Sequence, residues 1–327
     1  MTAPAATART TGAPSGAVTP RVRRRIPHKR AIAAFIAPFV VLFVLFYLVP
    51  IGYAIWKSLL VVEREGTFGQ AREVFGGLAQ YALVFQNTAF WPSVGRVLLF
   101  GVVQVPVMLG LALLFALLLD SPLLRGKRFF RLAFFVPYAV PGVIAAIMWG
   151  FLYSPNLSPF PGLTSNVDLL SADLVLWSIA NVVTWVFVGY NMLIIYSTLL
   201  AIPQEIYEAA RIDGAGQARI AWSIKIPLIR PALVLTGVLS IIGTLQLLAE
   251  PQTFRSFSSA VTSTFTPNMT IYATSSIPNV SLAAAFSVVL ALATFVLSFT
   301  TSTFLPSYKW AGLAQYQRLF DNDRWWV

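Results

Sequence analysis

Six long apolar segments, separated by short charged stretches, constrain this chain more than any other feature of its sequence. Residues 31–56 form a run of 26 uncharged residues, and uncharged runs of 23 and 31 residues occupy 97–119 and 174–204. A helix needs about 20 apolar residues to cross a bilayer. The chain is 57% hydrophobic and 11% charged, whereas about a quarter of the residues in soluble domains are charged. Lipid is therefore predicted to be its solvent.

These segments predict an all-α polytopic membrane protein with six transmembrane helices. The spans are expected near 31–56, 96–120, 132–153, 173–205, 231–250 and 281–305, with proline and glycine at 137–142 breaking the third near its start. Residues 63–92, 154–172 and 256–280 are the predicted outer loops. Whether 256–280 is a simple loop or partly re-entrant is left open by the sequence.

Basic residues beside the apolar segments predict the orientation. They cluster at 21–30, 125–131 and 211–230, which fall on one side of a six-span topology. Because cytoplasmic loops carry an excess of Lys and Arg, we expect a multi-pass protein of the plasma (inner, cytoplasmic) membrane with both termini in the cytoplasm. Residues 1–30 are expected to be a disordered basic N-terminus, since their composition cannot bury a core.

Composition also argues against several function classes. The net charge is +11, but the basic residues follow the membrane pattern rather than a groove that tracks nucleic-acid phosphates, so no nucleic-acid partner is predicted. The chain has no cysteine and a single histidine, His28, which leaves no thiol nucleophile and no cluster of metal ligands. We predict no cofactor, no metal site, no catalytic residue and no enzymatic activity in this chain.

A polar island at 203–231 separates two of the apolar segments. Pro203 suits a helix start, and Ile206, Ala209 and Ala210 fall on one face of the helix that would follow. Gly214 is expected to end that helix in the left-handed region. A second short helix is predicted at 217–225, ended by prolines at 227 and 231. The island therefore reads as a helix–turn–helix.

The island resembles a known motif. Glu208-Ala209-Ala210, then Gly214, then Ile226-Pro227-Leu228 resembles the EAA loop of ABC-importer permeases, and Asp213-Gly214-Ala215 is similar to the carbohydrate branch, the maltose and glycerol-3-phosphate types. Shorter matches to that branch lie at 77–81, 136–138, 185–191 and 245–251. An ordinary amphipathic hairpin between two spans is the alternative interpretation.

The resemblance implies a fold, a mechanism and partners. The fold would be the type I ABC-importer permease architecture, spanning 31–305, and the loop 203–231 would be the coupling helix that docks on a cytoplasmic ATPase subunit. The implied coupling residues are Glu208, Ala209, Ala210, Asp213 and Gly214. The implied partners are two ATPase subunits, a second permease subunit, an extracytoplasmic solute-binding protein and the lipid bilayer. A carbohydrate-like solute would cross by alternating access, and the partner subunits would hydrolyse ATP.

Two polar stripes on neighbouring spans predict a solute path. Asn181, Thr184, Asn191 and Thr198 lie within an arc of roughly 80° on the fourth span. On the fifth span, Thr236, Ser240, Gly243, Gln246 and Glu250 lie within an arc of roughly 120°. Trp185 and Tyr190 could stack on a sugar. Such residues also serve as hydrogen-bonding contacts between helices, which is the alternative for each alone. The predicted path comprises Asn181, Thr184, Trp185, Tyr190, Asn191, Ser240, Gln246 and Glu250.

Other interpretations stay open at this stage. An ion-coupled secondary transporter would need intramembrane carboxylates, of which Glu250 is the available one. A membrane scaffold would leave the loop and the stripes unexplained, and a non-sugar solute such as glycerol phosphate fits the same resemblance. The tail at 306–327 departs from the family, because 312–316 repeats the sequence of 77–81 at an offset of 235 positions within a wider match to 77–92. It is either a relic of a truncated fusion or a functional tail.

Overall fold

Apolar helices make up most of the structure, a computed structural model that describes residues 29–64, 70–160, 162, 167–276 and 279–300. In chain order the helices are α1 (Lys29–Phe43), α2 (Val49–Ser58), α3 (Ala79–Gln86), α4 (Phe90–Asp120), α5 (Lys127–Phe135), α6 (Gly142–Tyr153), α7 (Val175–Leu200), α8 (Gln204–Ile212), α9 (Gln217–Ile220), α10 (Ile226–Leu228), α11 (Arg230–Leu245), α12 (Ala249–Phe254), α13 (Pro267–Ser276) and α14 (Val280–Thr300). Of the segment predicted to be disordered, 1–30, residues 1–28 lie outside the described residues, and Lys29 and Arg30 belong to α1. The tail at 306–327 also lies outside the described residues.

Three short helical segments join these helices. Val44–Leu48 and Ala221–Lys225 are π-helical, and Val136–Ala139 is a 3-10 turn. Two strands, β1 (Leu60–Arg64) and β2 (Ala71–Phe75), pair antiparallel. The all-α polytopic fold class predicted from the sequence is therefore confirmed, with one added hairpin of strands.

Five helical segments among the described residues are long and apolar enough to cross a membrane. They are Ala33–Ser58, Phe90–Asp120, Val175–Leu200, Arg230–Phe254 and Val280–Leu297. A sixth crossing exists if Lys127–Ala139 and Gly142–Tyr153 are counted as one span, and these two segments are bent by 97°. The predicted third span at 132–153 is thus not a continuous helix.

Proline chemistry explains the size of that bend. Pro137 and Pro141 lack a backbone N–H and cannot continue a helical ladder. The residue before a proline is driven out of the helical region, and Val140 is extended with φ −81° and ψ 122°. Since α6 has 12 residues and a helix rises about 1.5 Å per residue, α6 alone is shorter than the ~30 Å hydrocarbon layer.

Helix α7 is the centre of the bundle. Of the five candidate spans it is the most buried. It packs along α4, and its apolar side chains form two core clusters with α4, α6 and α12. A helix that is apolar on nearly all sides is expected in this position.

Gly189 lets α5 approach α7 closely. A Cβ atom built on Gly189 would lie 1.8 Å from the carbonyl oxygen of Phe134, so only glycine fits there. The ring of Phe134 stacks in turn on Phe115 of α4, with centroids 4.3 Å apart and planes at 5°. These contacts hold the short helix α5 against α4 and α7.

A β-hairpin occupies part of the predicted outer loop. Val61 pairs with Val74 and Glu63 with Arg72, and Lys57 at the end of α2 forms an ion pair with Glu73. Gln80 of α3 donates a hydrogen bond to the Leu60 carbonyl at 3.0 Å. The sequence prediction missed these strands because each is only five residues long and mixes charged with branched residues.

Within the predicted loop at 256–280, the described residues 258–270 pack into the bundle. Arg96 of α4 donates to the Phe265 carbonyl at 2.7 Å, and Met269 and Thr270 on α13 are buried. The buried side chains of Ser258, Thr266 and Thr270 donate hydrogen bonds to backbone carbonyls, which explains why a segment rich in Ser and Thr can pack inside the bundle.

We expect Gly189→Ala to destabilise the protein by about 1–3 kcal/mol, since the new methyl group overpacks the contact with Phe134. The matched control is Gly237→Ala on α11, where the added Cβ would meet Leu109 at an ordinary 3.6 Å. Alanine is the better helix former, so the control should melt at or above the wild-type temperature. Thermal unfolding of the purified chain in detergent measures both. Equal melting temperatures for the two variants would contradict the close approach.

Candidate functional site

The fifth span breaks at residues 246–248, between α11 and α12. Gln246 leaves the helix with φ −94° and ψ 9°, and Leu248 has φ −140° and ψ −54°. Side chains from the 266–268 segment donate hydrogen bonds to carbonyl groups at this break. Thr266 donates to the Leu247 carbonyl at 3.0 Å, and Asn268 donates to the Leu245 carbonyl at 2.9 Å. Irregular backbone at membrane depth is tolerated where protein or a cavity surrounds it.

A cavity of about 420 Å³ lies beside this break. Residues of α4, α7, α11 and α12 line it together with the break itself: Gln104, Met108, Val183, Phe187, Tyr190, Asn191, Leu239, Ser240, Gly243, Thr244, Gln246, Leu247, Leu248, Ala249 and Glu250. About half of these side chains are apolar, and the others bring amide, hydroxyl and carboxyl groups to one place. That mixture is typical of small-molecule sites.

The amides of Gln104 and Asn191 are partly engaged by the protein. Gln104 donates through Nε2 to Thr184 Oγ1 at 3.2 Å and to Met108 Sδ at 3.4 Å. Its buried Oε1 has no hydrogen-bond partner among the described residues. Asn191 donates through Nδ2 to the Phe187 carbonyl at 3.2 Å. The carbonyl oxygen of Gln104 is therefore an acceptor without a donor.

Sequence reasoning missed Gln104. The one available signal was an amide in the middle of the uncharged run between Arg96 and Asp120. A polar residue in such a run faces the interior of a bundle more often than lipid.

Glu250 lies at the point where the two broken spans meet. It is 9% exposed, and a Cβ atom added to Gly142 would lie 2.6 Å from its Oε1. Gly142 is the first residue of α6, where the backbone N–H groups of a helix have no intrahelical acceptor. Negative charge is favoured in that position. No described basic residue forms an ion pair with Glu250.

The structure divides the predicted path residues into two groups. Tyr190, Asn191, Ser240, Gln246 and Glu250 line the cavity, whereas Asn181, Thr184 and Trp185 are not among its lining residues. Asn181 donates to the Tyr153 hydroxyl at 2.7 Å. Trp185 packs edge-on against Trp149, with centroids 5.9 Å apart. Tyr190 stacks on Tyr138 at 4.8 Å.

The polar island forms the predicted helix–turn–helix. Gly214 has φ +79°, which is the left-handed stop predicted after α8. Ile212, on the preceding turn, is 87% exposed and Glu208 is also exposed. Pro227 does not end the second helix, because α10 continues through it and Ile229 makes the break before α11. Proline is tolerated at the start of a helical segment.

The apolar residues of α8 differ in burial. Ala210 is buried together with Tyr207, whereas Ile206 and Ala209 are exposed. Tyr207 and Ala210 form the inward face and pack against Ile220 of α9. The outward face consequently presents Ala209 together with Glu208.

An ion pair joins the helical hairpin, formed by α8, α9 and the segment up to Lys225, to the second span, α4. Lys225 pairs with Asp120, the last residue of α4, and their side chains are 9% and 12% exposed. The Lys225 ammonium lies 5.0 Å from the centre of the Tyr207 ring, a cation–π contact. Burial raises the pKa of Tyr207 to about 12, and the charge of Asp120 contributes to the same shift. Tyr207 therefore stays neutral at physiological pH, while Asp120 and Lys225 balance each other's charge.

The chain is similar to known membrane transport proteins. The profile of the family described as "Binding-protein-dependent transport system inner membrane component" matches residues 108–305. The chain is 32% identical over 193 residues to the sn-glycerol-3-phosphate transport system permease protein UgpA of Agrobacterium fabrum, covering 58% of this chain and 64% of UgpA. It is 32% identical over 264 residues to the lactose transport system permease protein LacF of Rhizobium radiobacter, covering 76% of this chain and 86% of LacF.

A solved structure shares the fold. A chain of the bacterial alginate ABC transporter in complex with an alginate pentasaccharide-bound periplasmic protein superposes with a TM-score of 0.68 at 16% identity. The match covers 84% of this chain and 94% of that one.

Proposed function

The chain belongs to the family of binding-protein-dependent transport system inner membrane components, and from that premise we propose that it carries a neutral carbohydrate across the membrane as the permease subunit of an ATP-driven importer. The proposed solute site is the cavity between α4, α7, α11 and α12. The observation that carries the proposal is its lining, which gathers hydrogen-bonding groups at a place where two spans are broken.

The chemistry of the lining favours a polyhydroxyl solute. Each sugar hydroxyl can donate one hydrogen bond and accept others, and amides such as Asn191 and Gln246 offer both functions. The unpartnered Gln104 Oε1 would accept from a solute hydroxyl, which relieves the cost of burying it alone. Tyr190 supplies an aromatic surface. A volume of about 420 Å³ lies within the range of small-molecule sites.

The charge of the cavity lining distinguishes between two candidate solutes, a neutral sugar and glycerol phosphate. None of the described residues lining the cavity is Lys, Arg or His, and its one ionisable acid is Glu250. A phosphate or carboxylate taken from water needs charged or strongly donating partners. The lining therefore favours a solute of the kind named for LacF over the anion named for UgpA.

The hairpin of α8 and α9 is the proposed coupling element. Glu208, Ala209, Asp213 and Gly214 are exposed and would contact an ATPase subunit, whereas the buried Ala210 would keep α8 close to α9. Movement of the hairpin would reach α4 through the Asp120–Lys225 pair and α11 through the continuous chain at Pro227. ATP hydrolysis would take place in the partner subunits.

The remaining partners and the orientation are part of the same proposal. A second permease subunit would complete the solute path, and an extracytoplasmic binding protein would deliver the solute, as the periplasmic protein bound to the alginate transporter suggests. The basic clusters would face the cytoplasm. The permease domain would extend to residue 305 and the tail at 306–327 would be dispensable.

An ion-coupled secondary transporter is the main competing class. Its coupling ion would bind intramembrane carboxylates, and Glu250 is the described acid in the cavity. Co-purification of ATPase subunits with the tagged chain separates the classes, because a secondary transporter needs none.

We expect Asn191→Ala and Gln246→Ala to lower solute uptake several-fold to a hundredfold, since a lost hydrogen bond in a dry site costs about 1–3 kcal/mol. Uptake of labelled lactose as probe, in proteoliposomes carrying the complete importer and its binding protein, measures the effect. The control is Ser197→Ala on α7, an exposed residue outside the cavity lining. Wild-type uptake in both amide variants, with ATPase subunits still bound, would contradict the assignment of the cavity.

We expect Gly214→Ala to weaken coupling, because a Cβ in the left-handed region costs about 1–2 kcal/mol and re-aims α8. Gly216→Ala is the matched control: both sites leave open space for a methyl group, but Gly216 has φ −72°. Glu208→Ala should likewise loosen the ATPase, by about 2–5 kcal/mol if it loses a desolvated partner. ATP hydrolysed per solute transported is the measurement. Equal ratios in the Gly214 and Gly216 variants would argue against the hairpin as the coupling element.

A further inference from the structure

We propose that α5 holds a binding site for an anionic phospholipid, with Arg128 and Arg131 on the headgroup phosphate and the acyl chain lying over Leu132, Phe135 and Leu193. The site is separate from the solute cavity and from the outward face of the coupling hairpin. It does not depend on which solute the chain carries.

A cavity of about 270 Å³ between α5 and α7 is the first observation. Its lining consists of Arg128, Arg131, Leu132, Phe135 and Leu193. Residues three and four apart on a helix are neighbours, so the two arginines lie together and the two apolar residues follow one turn further along the same face. The cavity is thus charged at one end and apolar at the other.

The two arginines have no partner among the described residues. Both side chains are exposed, and no described hydrogen bond or ion pair involves either guanidinium. Their neighbour Lys127 differs, since it donates to the Asp120 carbonyl at 3.4 Å. Arginine presents donors in a planar fork that matches phosphate oxygens. Two unpaired forks on adjacent turns suit one phosphate group.

The orientation of α5 is the second observation. The segment Lys127–Ala139 is bent by 97° from α6, so it runs across the direction of that helix. Phe129 is 70% and Leu132 61% exposed, although α5 also carries three basic residues. A helix of this composition lies in the membrane interface with its apolar face in the acyl region. Basic pockets between membrane helices bind anionic headgroups.

The apolar half of the cavity distinguishes a lipid from other anions. A free phosphate has no acyl chain to lie over Leu132, Phe135 and Leu193, and neither has an acidic protein surface. A diacyl phospholipid satisfies both ends at once. Because Leu193 belongs to α7, the bound lipid would also bridge α5 to the centre of the bundle.

The test is titration of the full-length chain with phosphatidylglycerol and phosphatidylcholine, with bound lipid counted by native mass spectrometry. We expect wild type to retain phosphatidylglycerol preferentially. In the double variant Arg128→Gln/Arg131→Gln its apparent affinity should fall about thirtyfold, from roughly fivefold per arginine at an anionic surface. Arg128→Lys/Arg131→Lys keeps the charge but loses the fork, and should retain an intermediate affinity.

Two controls make the result specific. Arg125→Gln/Arg230→Gln removes the same charge from exposed sites outside the cavity and should change the affinity less than threefold. Leu193→Trp fills the apolar end without changing charge and should lower phosphatidylglycerol retention. An unchanged melting temperature in phosphatidylcholine shows that each variant is folded.

Several results would overturn the proposal. An equal loss of affinity for phosphatidylglycerol in Arg128→Gln/Arg131→Gln and in Arg125→Gln/Arg230→Gln would mean a diffuse attraction to anionic membranes. Displacement of phosphatidylglycerol by millimolar inorganic phosphate would mean a site for small anions. Full lipid retention in the Arg128/Arg131 variant, accompanied by loss of ATPase subunits, would assign the arginines to a protein interface.

Discussion

The ion pair between Asp120 and Lys225 links the parts of this protein that must act together. It joins the end of α4, a span that lines the proposed solute cavity, to the π-helical segment Ala221–Lys225 that follows α9. Taking two charges out of water is costly unless they pair closely, so a low exposure of both side chains implies a fixed relation between hairpin and span. Tyr207 extends the tie to α8 through its ring. The orientation of the outward residues Glu208 and Ala209 follows from that geometry.

Interrupted helices shape the proposed solute cavity, which α4 lines together with the break at 246–248. Prolines 137 and 141 turn the chain by 97° and set the first residue of α6 against Glu250, while the break at 246–248 exposes backbone that Thr266 and Asn268 satisfy. Gly189 contributes in another way, because the absence of a side chain lets the backbone of α5 contact α7. The same α5 carries the proposed lipid site, at the base of the bundle near Asp120.

Features that depend on neighbouring residues, such as the spans and the turn at Gly214, were predicted from the sequence. Apolar run lengths predicted the spans, and a glycine after a short amphipathic helix predicted the left-handed turn at Gly214. Interactions between distant residues were not accessible in this way. Asp120 and Lys225 lie 105 positions apart, and nothing in either neighbourhood signals the pair. The contact between the Lys225 ammonium and the Tyr207 ring was not predicted for the same reason. Gln104 was missed for a similar reason, because its partner Thr184 lies 80 positions away and meets it only in the folded bundle.

The most direct test of this account is ATP hydrolysed per solute transported in proteoliposomes, measured for Asp120→Asn, Lys225→Met and the charge reversal Asp120→Lys/Lys225→Asp. Removing one partner of a buried pair costs about 3–5 kcal/mol, so each single variant should hydrolyse ATP with little transport. The charge reversal should recover much of the wild-type ratio, because it restores the pair with opposite polarity. Wild-type ratios in both single variants, or a reversal no better coupled than the single variants, would contradict the role of the ion pair.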